Sequence, residues 1–299
     1  MRFTQSLIRF DWILLLTAFT LVSVGLVVMY GIGISRPESS LFLFQKQIAG
    51  AVIGLAVIIG LGFVDYRQLR GLALPVYAAG AALLVGVLLF GHTVRGTKGW
   101  YVVGGLSFQP VEMAKLCLIL FLASYLARYT HQRLRWHAVA GSFLGTAGYA
   151  ALVFLQPDFG SAMVMFAIWG ILILCVGLTW KNVLVLSLVA LVMAGMAWFL
   201  LLKPYQHARF LAFVNPALDE RGAGYNVTQA QIAIGSGGLF GKGVGEGSQA
   251  RLRFLPEAAT DFMFAVVGEE LGFVGIVFVL GLFGLLFYRF LLVAREAED

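Results

Sequence analysis

VLVLSLVALVMAGMAWFL, residues 183–200, carries no charge and no alternation of polar with apolar positions, and LVSVGLVVMYGIGI, residues 21–34, is a run of the same kind. Strands of a membrane barrel need segments of roughly ten residues that alternate in polarity. Both runs therefore read as helices, which satisfy every backbone N–H and C=O internally when lipid offers no partner. Working outward from them, apolar segments fall at 13–34, 48–64, 72–91, 110–127, 138–156, 160–179, 182–202 and 262–288. Each is about long enough to cross ~30 Å of hydrocarbon as a helix. The sequence predicts an all-α integral membrane protein, a single polytopic domain over 1–299 with eight transmembrane helices and one long loop at 203–261.

Composition agrees. Of 299 residues, 60% are hydrophobic and 12% charged, about half the ~25% charge of an ordinary soluble domain, which excludes the soluble enzyme classes. The net charge is +6, but the 21 Lys and Arg residues are scattered between apolar blocks, so a nucleic-acid partner is not expected. Cys117 and Cys175 lie inside apolar blocks with no partner at metal-ligand spacing. The first segment is followed by Ser35-Arg36-Pro37-Glu38 rather than a small-residue cleavage site, so a retained span is expected.

Orientation follows from Lys and Arg in the short loops. Arg2, Arg9, Arg67, Arg70, Arg128, Arg133, Arg135, Lys181, Arg289 and Arg295 fall on one side of eight alternating spans, and only Arg36, Lys46, Arg95 and Lys98 on the other. The amino terminus is expected in the cytoplasm, with loops 35–47, 92–109 and 203–261 outside. A structureless loop of about 59 residues is uncommon and usually functional, which directs the search to the outer face. No matched pair of interrupted helices in the two halves suggests a carrier.

Within the long loop, GSGGLFGKGVGEG (235–247) has seven glycines in thirteen positions. Gly241-Lys242 is followed by Gly243 rather than Ser or Thr, and no strand precedes, so neither a Walker A motif nor a dinucleotide fingerprint is present. Two readings stand: a tightly turning loop using the conformational freedom of glycine, or a loop whose amides approach an anion.

Charges in or at the mouth of a membrane bundle are functional candidates. Glu112 and Lys115, just after Pro110, share a helix face at i,i+3; a structural pair and a substrate-facing pair both fit. Asp158, after Gln156-Pro157, reads first as a helix cap for Gly160 or Ser161. Asp261 stands where the long loop meets the last segment, with water on one side and low-dielectric surroundings on the other, the setting of a general base; an amino-terminal cap by Thr260 or Asp261 fits equally. Glu269 and Glu270 suggest one packed charge and one facing a polar cavity. Arg95, Lys98, Arg209, Arg221, Lys242, Arg251 and Arg253 are loop charges able to clamp a diphosphate if they converge, or simply solvated. Trp100 and Tyr101 are interfacial anchors or rings that stack on a sugar.

Taken in order, Arg95-Gly-Thr-Lys-Gly-Trp100, Gln109-Pro-Val-Glu112-Met-Ala-Lys115, Gln156-Pro-Asp158-Phe-Gly160, Gly224-Tyr-Asn-Val-Thr-Gln229, Ile234-Gly-Ser-Gly-Gly-Leu-Phe-Gly-Lys-Gly243, Phe254-Leu-Pro-Glu257-Ala-Ala-Thr-Asp261-Phe-Met-Phe264 and Gly268-Glu-Glu-Leu-Gly272 resemble the SEDS family (shape, elongation, division and sporulation), and most its elongation branch. The resemblance implies a fold of ten spans, of which eight fall within these residues. It implies a peptidoglycan glycosyltransferase of the bacterial cytoplasmic membrane that polymerises lipid II on the outer face and releases undecaprenyl diphosphate. A class B penicillin-binding protein and other elongation or division machinery are the implied partners. Asp261 matches the family's essential aspartate, which would deprotonate the acceptor 4-hydroxyl. Glu112 and Lys115 match its paired cavity charges, Trp100 an outer-loop tryptophan, and Arg95, Lys98, Arg209, Lys242 and Glu257 are the further substrate-binding candidates. A divalent cation such as Mg²⁺ at the leaving group is compatible with this chemistry; no metal ligand set is visible, and no organic cofactor is expected. A lipid-linked precursor flippase and a noncatalytic scaffold for the penicillin-binding protein are the competing functions.

Overall fold

The structure, a computed structural model, describes residues 11–35, 40–64, 66–94, 96–103, 106–129, 136–200, 207, 211, 214–215 and 222–297. Its helices are α1 (Trp12–Ser35), α2 (Ser40–Leu61), α3 (Tyr66–Phe90), α4 (Pro110–Leu126), α5 (Trp136–Phe154), α6 (Phe159–Val176), α7 (Trp180–Leu200), α8 (Ala223–Ser236), the single turn α9 (Ser248–Arg251) and α10 (Met263–Glu296). Among the described residues seven helices are long and apolar enough to cross a membrane, and Trp180–Met193 of α7 is a shorter apolar stretch. Contiguous exposed side chains such as Val52, Ile53, Leu188 and Leu191 form apolar faces far larger than a soluble monomer shows. The chain is a multi-span membrane protein.

Two boundaries differ from the sequence expectation. The second segment, expected at 48–64, is helical from Ser40, because the apolar run Leu41-Phe42-Leu43-Phe44 precedes Lys46 and its flanking glutamines and continues the helix on their amino-terminal side. The last segment, expected as one span over 262–288, is broken: Gly272 has φ 68° and ψ −164°, a conformation open essentially to glycine alone. Residues 265–270 before the break are buried, whereas most of 273–296 is exposed. That second piece is roughly 36 Å long, enough to span.

Residues 92–109 are not a bare loop. His92–Val94 (β1), Thr97–Val103 (β2) and Leu106–Phe108 (β3) form an antiparallel meander in the order β1-β2-β3. The Tyr101 hydroxyl donates to the Leu83 carbonyl of α3 at 3.3 Å.

The chain folds as two compact units, one of Val64–Ala194, the other of residues up to Phe63 and from Gly195 onward. In the first, Leu84, Val111, Leu118, Leu122, Val153 and Met165 make the core. Its polar groups are satisfied internally: Tyr149 donates to the Tyr77 carbonyl at 2.6 Å, and Tyr77 to the Gly145 carbonyl at 2.7 Å. Pro110, which lacks an N–H, opens α4, where none is needed. In the other unit, Val28, Ile32, Ala233, Leu255, Ala265 and Val266 form the core.

Here α1 packs on α10, and the far end of α10 is tied back to the start of α1. Arg289 Nη2 and Nε donate to Asp11 Oδ2 at 2.7 and 2.9 Å, and the Leu14 amide donates to Asp11 Oδ1 at 3.0 Å. Burial alone would raise the Asp11 pKa; the Leu14 amide and the Arg289 guanidinium outweigh it and hold the carboxyl below its usual range. A depressed carboxyl pKa gives stability that is full above the unfolded-state value of about 4 and is lost as pH falls through the folded value. Asp11→Asn is therefore expected to lower stability at pH 7 by roughly 1 kcal/mol and to flatten the acid limb of thermal stability in detergent. An unchanged acid limb would contradict this assignment.

Candidate functional site

The break at Gly272 removes two helical hydrogen bonds, Phe273 N–H to Glu269 C=O and Val274 N–H to Glu270 C=O. The glycine-rich stretch supplies four in their place. The amides of Lys242 and Gly243 donate to the carbonyls of Glu269 and Glu270 at 3.0 Å each, and the amides of Phe273 and Val274 donate to Gly238 and Leu239 at 2.9 and 3.1 Å. This approach leaves no room for side chains: a Cβ at Gly237 would meet the Gly268 backbone, and one at Gly241 the backbone of Glu270 and Leu271. Of the two readings of 235–247, the structure shows the tightly turning loop, with the Lys242 and Gly243 amides spent on helix carbonyls.

Both glutamates beside the break are buried, Glu269 at 0% exposed and Glu270 at 1%; neither faces a polar cavity as the sequence suggested. Lys242 Nζ lies 2.8 Å from Glu269 Oε1 and donates to Ser236 Oγ at 2.8 Å and to Ser248 Oγ at 3.1 Å. The Ser248 hydroxyl and the Gln249 amide also donate to Glu269, at 2.9 and 3.2 Å. Lys242 thus joins α8, α9 and α10. Glu270 is tucked against Gly31 of α1 and Gly245.

Asp261 lies two residues before the buried half-helix, on a turn built around one acceptor: the Glu257 carbonyl takes the amides of Thr260, Asp261 and Phe262 at 3.2, 3.0 and 3.2 Å. The Thr260 hydroxyl donates to Glu257 Oε2 at 3.1 Å. The helix cap falls on Phe262, which makes no side-chain cap bond. Asp261 is exposed. Beside this turn is a cavity of about 510 Å³ lined by residues of α1 and α2, including Lys46, with Ala259, Thr260 and Met263.

In the other unit, Lys115 Nζ pairs with Glu112 Oε1 at 2.8 Å; the Glu112 side chain is 60% exposed and that of Lys115 20%. Asp158 caps α6, accepting from the Ser161 amide at 3.0 Å and its hydroxyl at 2.7 Å. It also accepts from Gln109 Nε2 at 3.3 Å, which ties the start of α6 to the start of α4. Lys98 and Trp100 sit half-buried on β2. Structure therefore groups Asp261, Glu257 and Lys242 in one unit and Glu112, Lys115, Lys98 and Trp100 in the other. Arg95, Arg209 and Arg221 lie outside the described residues. Among the described residues no three His, Cys, Asp or Glu side chains come together as a metal ligand set.

The cavity and the place of Lys46 in its wall were not legible in the sequence. Placing the second span at 48 put Lys46 in a loop; with the helix starting at Ser40, it is a charge in the second turn of an apolar membrane helix, which is itself a functional signal.

Fold and site define a class: a multi-span helical membrane protein with an exposed carboxylate held in front of a broken membrane helix. The family described as cell cycle protein, that of FtsW, RodA and SpoVE, matches residues 11–299. Among curated relatives, the chain is 34% identical to the probable peptidoglycan glycosyltransferase FtsW of Saccharophagus degradans, over 99% of this chain and 77% of that one. It is 36% identical to the peptidoglycan glycosyltransferase MrdB of Escherichia coli K12, over 86% of this chain and 69% of that one. Among solved structures, it is similar to a chain of a peptidoglycan synthase complex that coordinates polymerization and crosslinking, with TM-score 0.72, 33% identity and coverage of 94% and 77%. The rod shape determining protein RodA of Thermus thermophilus matches with TM-score 0.65, 32% identity and coverage of 97% and 77%. The chain belongs to the FtsW, RodA and SpoVE family.

The close backbone approach gives a paired prediction. Gly241→Ala, which meets the Glu270 backbone at φ 80°, is expected to destabilise by about 3 kcal/mol. Gly54→Ala in α2, with nothing within 4 Å, is expected to be neutral or stabilising by up to roughly 1 kcal/mol. Thermal melting in one detergent checks both, and equal melting temperatures would contradict the docking of the loop on the helix.

Proposed function

We propose that the chain is a peptidoglycan glycosyltransferase that polymerises lipid II into β-1,4 glycan strands with release of undecaprenyl diphosphate, serving cell elongation and shape. The observation that carries this reading is Asp261: an exposed carboxylate, held on a turn by three backbone bonds to one carbonyl, beside a cavity with a cationic and an apolar wall. Membership of a family whose relatives are named peptidoglycan glycosyltransferases supports it.

In the reaction, Asp261 accepts the proton of the acceptor 4-hydroxyl as that oxygen forms its bond to the donor anomeric carbon. The bond from this carbon to the diphosphate oxygen breaks, and its electron pair departs with undecaprenyl diphosphate. Attack opposite to the leaving group converts the α-linked lipid into a β-linked glycan. A turn that holds its carboxylate by backbone bonds keeps the base in place before the acceptor arrives. Glu257 is a positioning residue, since its carbonyl and carboxylate shape the turn. Lys242 likewise positions, through Glu269, the half-helix that follows Asp261. Glu112 and Lys115 are assigned to substrate contact: pairing makes their presence at membrane level affordable while leaving the Glu112 carboxylate accessible. Lys98 and Trp100 on β2 serve the same purpose, as cation and stacking surface, and Arg95 and Arg209 remain substrate-binding candidates from sequence. No step is routed through a metal.

The charge bias of the short loops supports a cytoplasmic amino terminus in the bacterial cytoplasmic membrane. That orientation, with α1 and α10 joined at Asp11 and Arg289 and Gly31 against Glu270 at the other end, supports an extracytoplasmic Gly272 break. A class B penicillin-binding protein is the partner we assign, because a similar chain belongs to a complex that couples polymerization to crosslinking and crosslinking is that partner's chemistry.

Asp261→Asn is expected to abolish glycan synthesis from labelled lipid II, at least a hundredfold by analogy with loss of a general base (roughly 10²–10⁴), with an unchanged melting temperature. Retained synthesis in that variant would remove Asp261 as the base.

A further inference from the structure

One end of the unit Val64–Ala194 carries cations that the mechanism does not use. Arg70 lies in the second turn of α3, Arg128 just beyond the end of α4 and Lys181 at the start of α7, and all of them are exposed. They stand around one buried cluster, formed by Leu126 of α4, Ala138 of α5 and Ile173 of α6, on which Leu178 of the following turn and Leu186 of α7 pack. The start of α3 joins it where the Ser124 hydroxyl of α4 donates to the Arg70 carbonyl at 3.3 Å. Tyr129, next to Arg128, packs edge-on against the exposed His137 of α5, with ring centroids 6.0 Å apart. Lys181 follows three residues after Leu178. The described carboxylates of this unit, Glu112 and Asp158, stand at the starts of α4 and α6, one helix length or roughly 25 Å away. The unit therefore has a cationic end with no acid among its described residues.

Such an end attracts anions, and its rim says which kind. Trp136 and Trp180 open α5 and α7, both exposed, each directly before a basic residue, His137 or Lys181; rings in that place sit at the level of lipid headgroups. Leu174 and Leu184, about one turn inside the ends of α6 and α7, are exposed as well. Cations, then indole rings, then aliphatic side chains repeat the order of phosphate, glycerol ester and acyl chain in a phospholipid. We infer that this end of the unit is a binding site for an anionic phospholipid, with Arg70, Arg128 and Lys181 receiving its headgroup phosphate and Leu174 and Leu184 meeting its acyl chains. Guanidinium groups bind a phosphate through paired N–H donors. A zwitterionic headgroup would bring its own ammonium against three cations, so the site selects lipids of net negative charge. The orientation proposed above places it in the cytoplasmic leaflet; the site itself rests on the packing of this unit and is independent of Asp261.

The test is native mass spectrometry of the full chain in detergent, titrated with phosphatidylglycerol and with phosphatidylcholine. Wild type is expected to retain phosphatidylglycerol and to release phosphatidylcholine. Arg70→Gln, Arg128→Gln and Lys181→Gln are each expected to weaken phosphatidylglycerol about fivefold, the contribution of one cation near an anionic headgroup, and the three together about a hundredfold. Arg70→Lys with Arg128→Lys should stay within about fivefold of wild type, which separates loss of charge from loss of fold. Arg251→Gln with Arg253→Gln, which removes two exposed cations of the other unit, should leave retention unchanged. Equal retention of the two lipids by wild type overturns the site, as does a loss from the Arg251 and Arg253 pair as large as that from Arg70 and Arg128. Displacement of the lipid by millimolar inorganic phosphate assigns the cations to a soluble anion and overturns the lipid.

Discussion

Everything near the candidate base depends on one constraint: a helix broken at Gly272 must find new partners for the backbone groups it exposes. In lipid an unsatisfied N–H or C=O costs several kcal/mol, so a break at membrane depth persists only where protein supplies the lost bonds. Four backbone bonds between 238–243 and 269–274 do so. A Cβ at Gly237, Gly241 or Gly272 would run into the facing backbone, and Gly238, Gly241, Gly243 and Gly245 hold positive φ, so close approach and tight turning account for most of the glycine in this stretch. The density of glycine is thus a consequence of the break rather than of a bound nucleotide.

The break also determines where charges stand. It leaves a short buried piece, 263–271, whose two carboxylates would be prohibitive alone; Lys242, Ser248 and the Gln249 amide compensate Glu269. Lys242 comes from the same glycine-rich stretch that satisfies the backbone, so one segment performs both tasks. At the other end of the piece, the Glu257 carbonyl gathers three amides and presents Asp261 beside a cavity whose walls are contributed by α1 and α2. The reactive carboxylate is on a turn, but that turn is anchored to a buried core of Leu255, Ala258, Ala265 and Val266.

Much of the fold was legible in the sequence because lipid simplifies the problem: uniform apolar runs such as 183–200 admit a helix and little else. The Glu112–Lys115 pair and the Asp158 cap were legible for a local reason, since i,i+3 spacing and a residue preceding a helix are fixed by helix geometry alone. What was hidden was non-local. The Gly272 break lies inside a run apolar enough to pass as one span, and only the docking of 238–243 reveals why it is stable. The paired role of Lys242 and Glu269, 27 residues apart, had no spacing rule to announce it. Lys46 was obscured by a boundary error of eight residues, 48 against the observed Ser40, since a hydropathy window discounts the one charge that matters. Short strands at 92–108 were missed because Thr97–Val103 reads as part of a polar connection, and its pairing partners lie in turn-rich sequence.

Glycosyl transfer breaks one bond for each it forms, whereas a flippase or a scaffold breaks none. The most direct measurement counts undecaprenyl diphosphate released against β-1,4 linkages formed when the purified chain, with a class B penicillin-binding protein, is given lipid II in liposomes. One diphosphate per linkage is expected, the two rising together with time. Lipid II carried across the bilayer intact, with neither diphosphate nor linkage appearing, would contradict it.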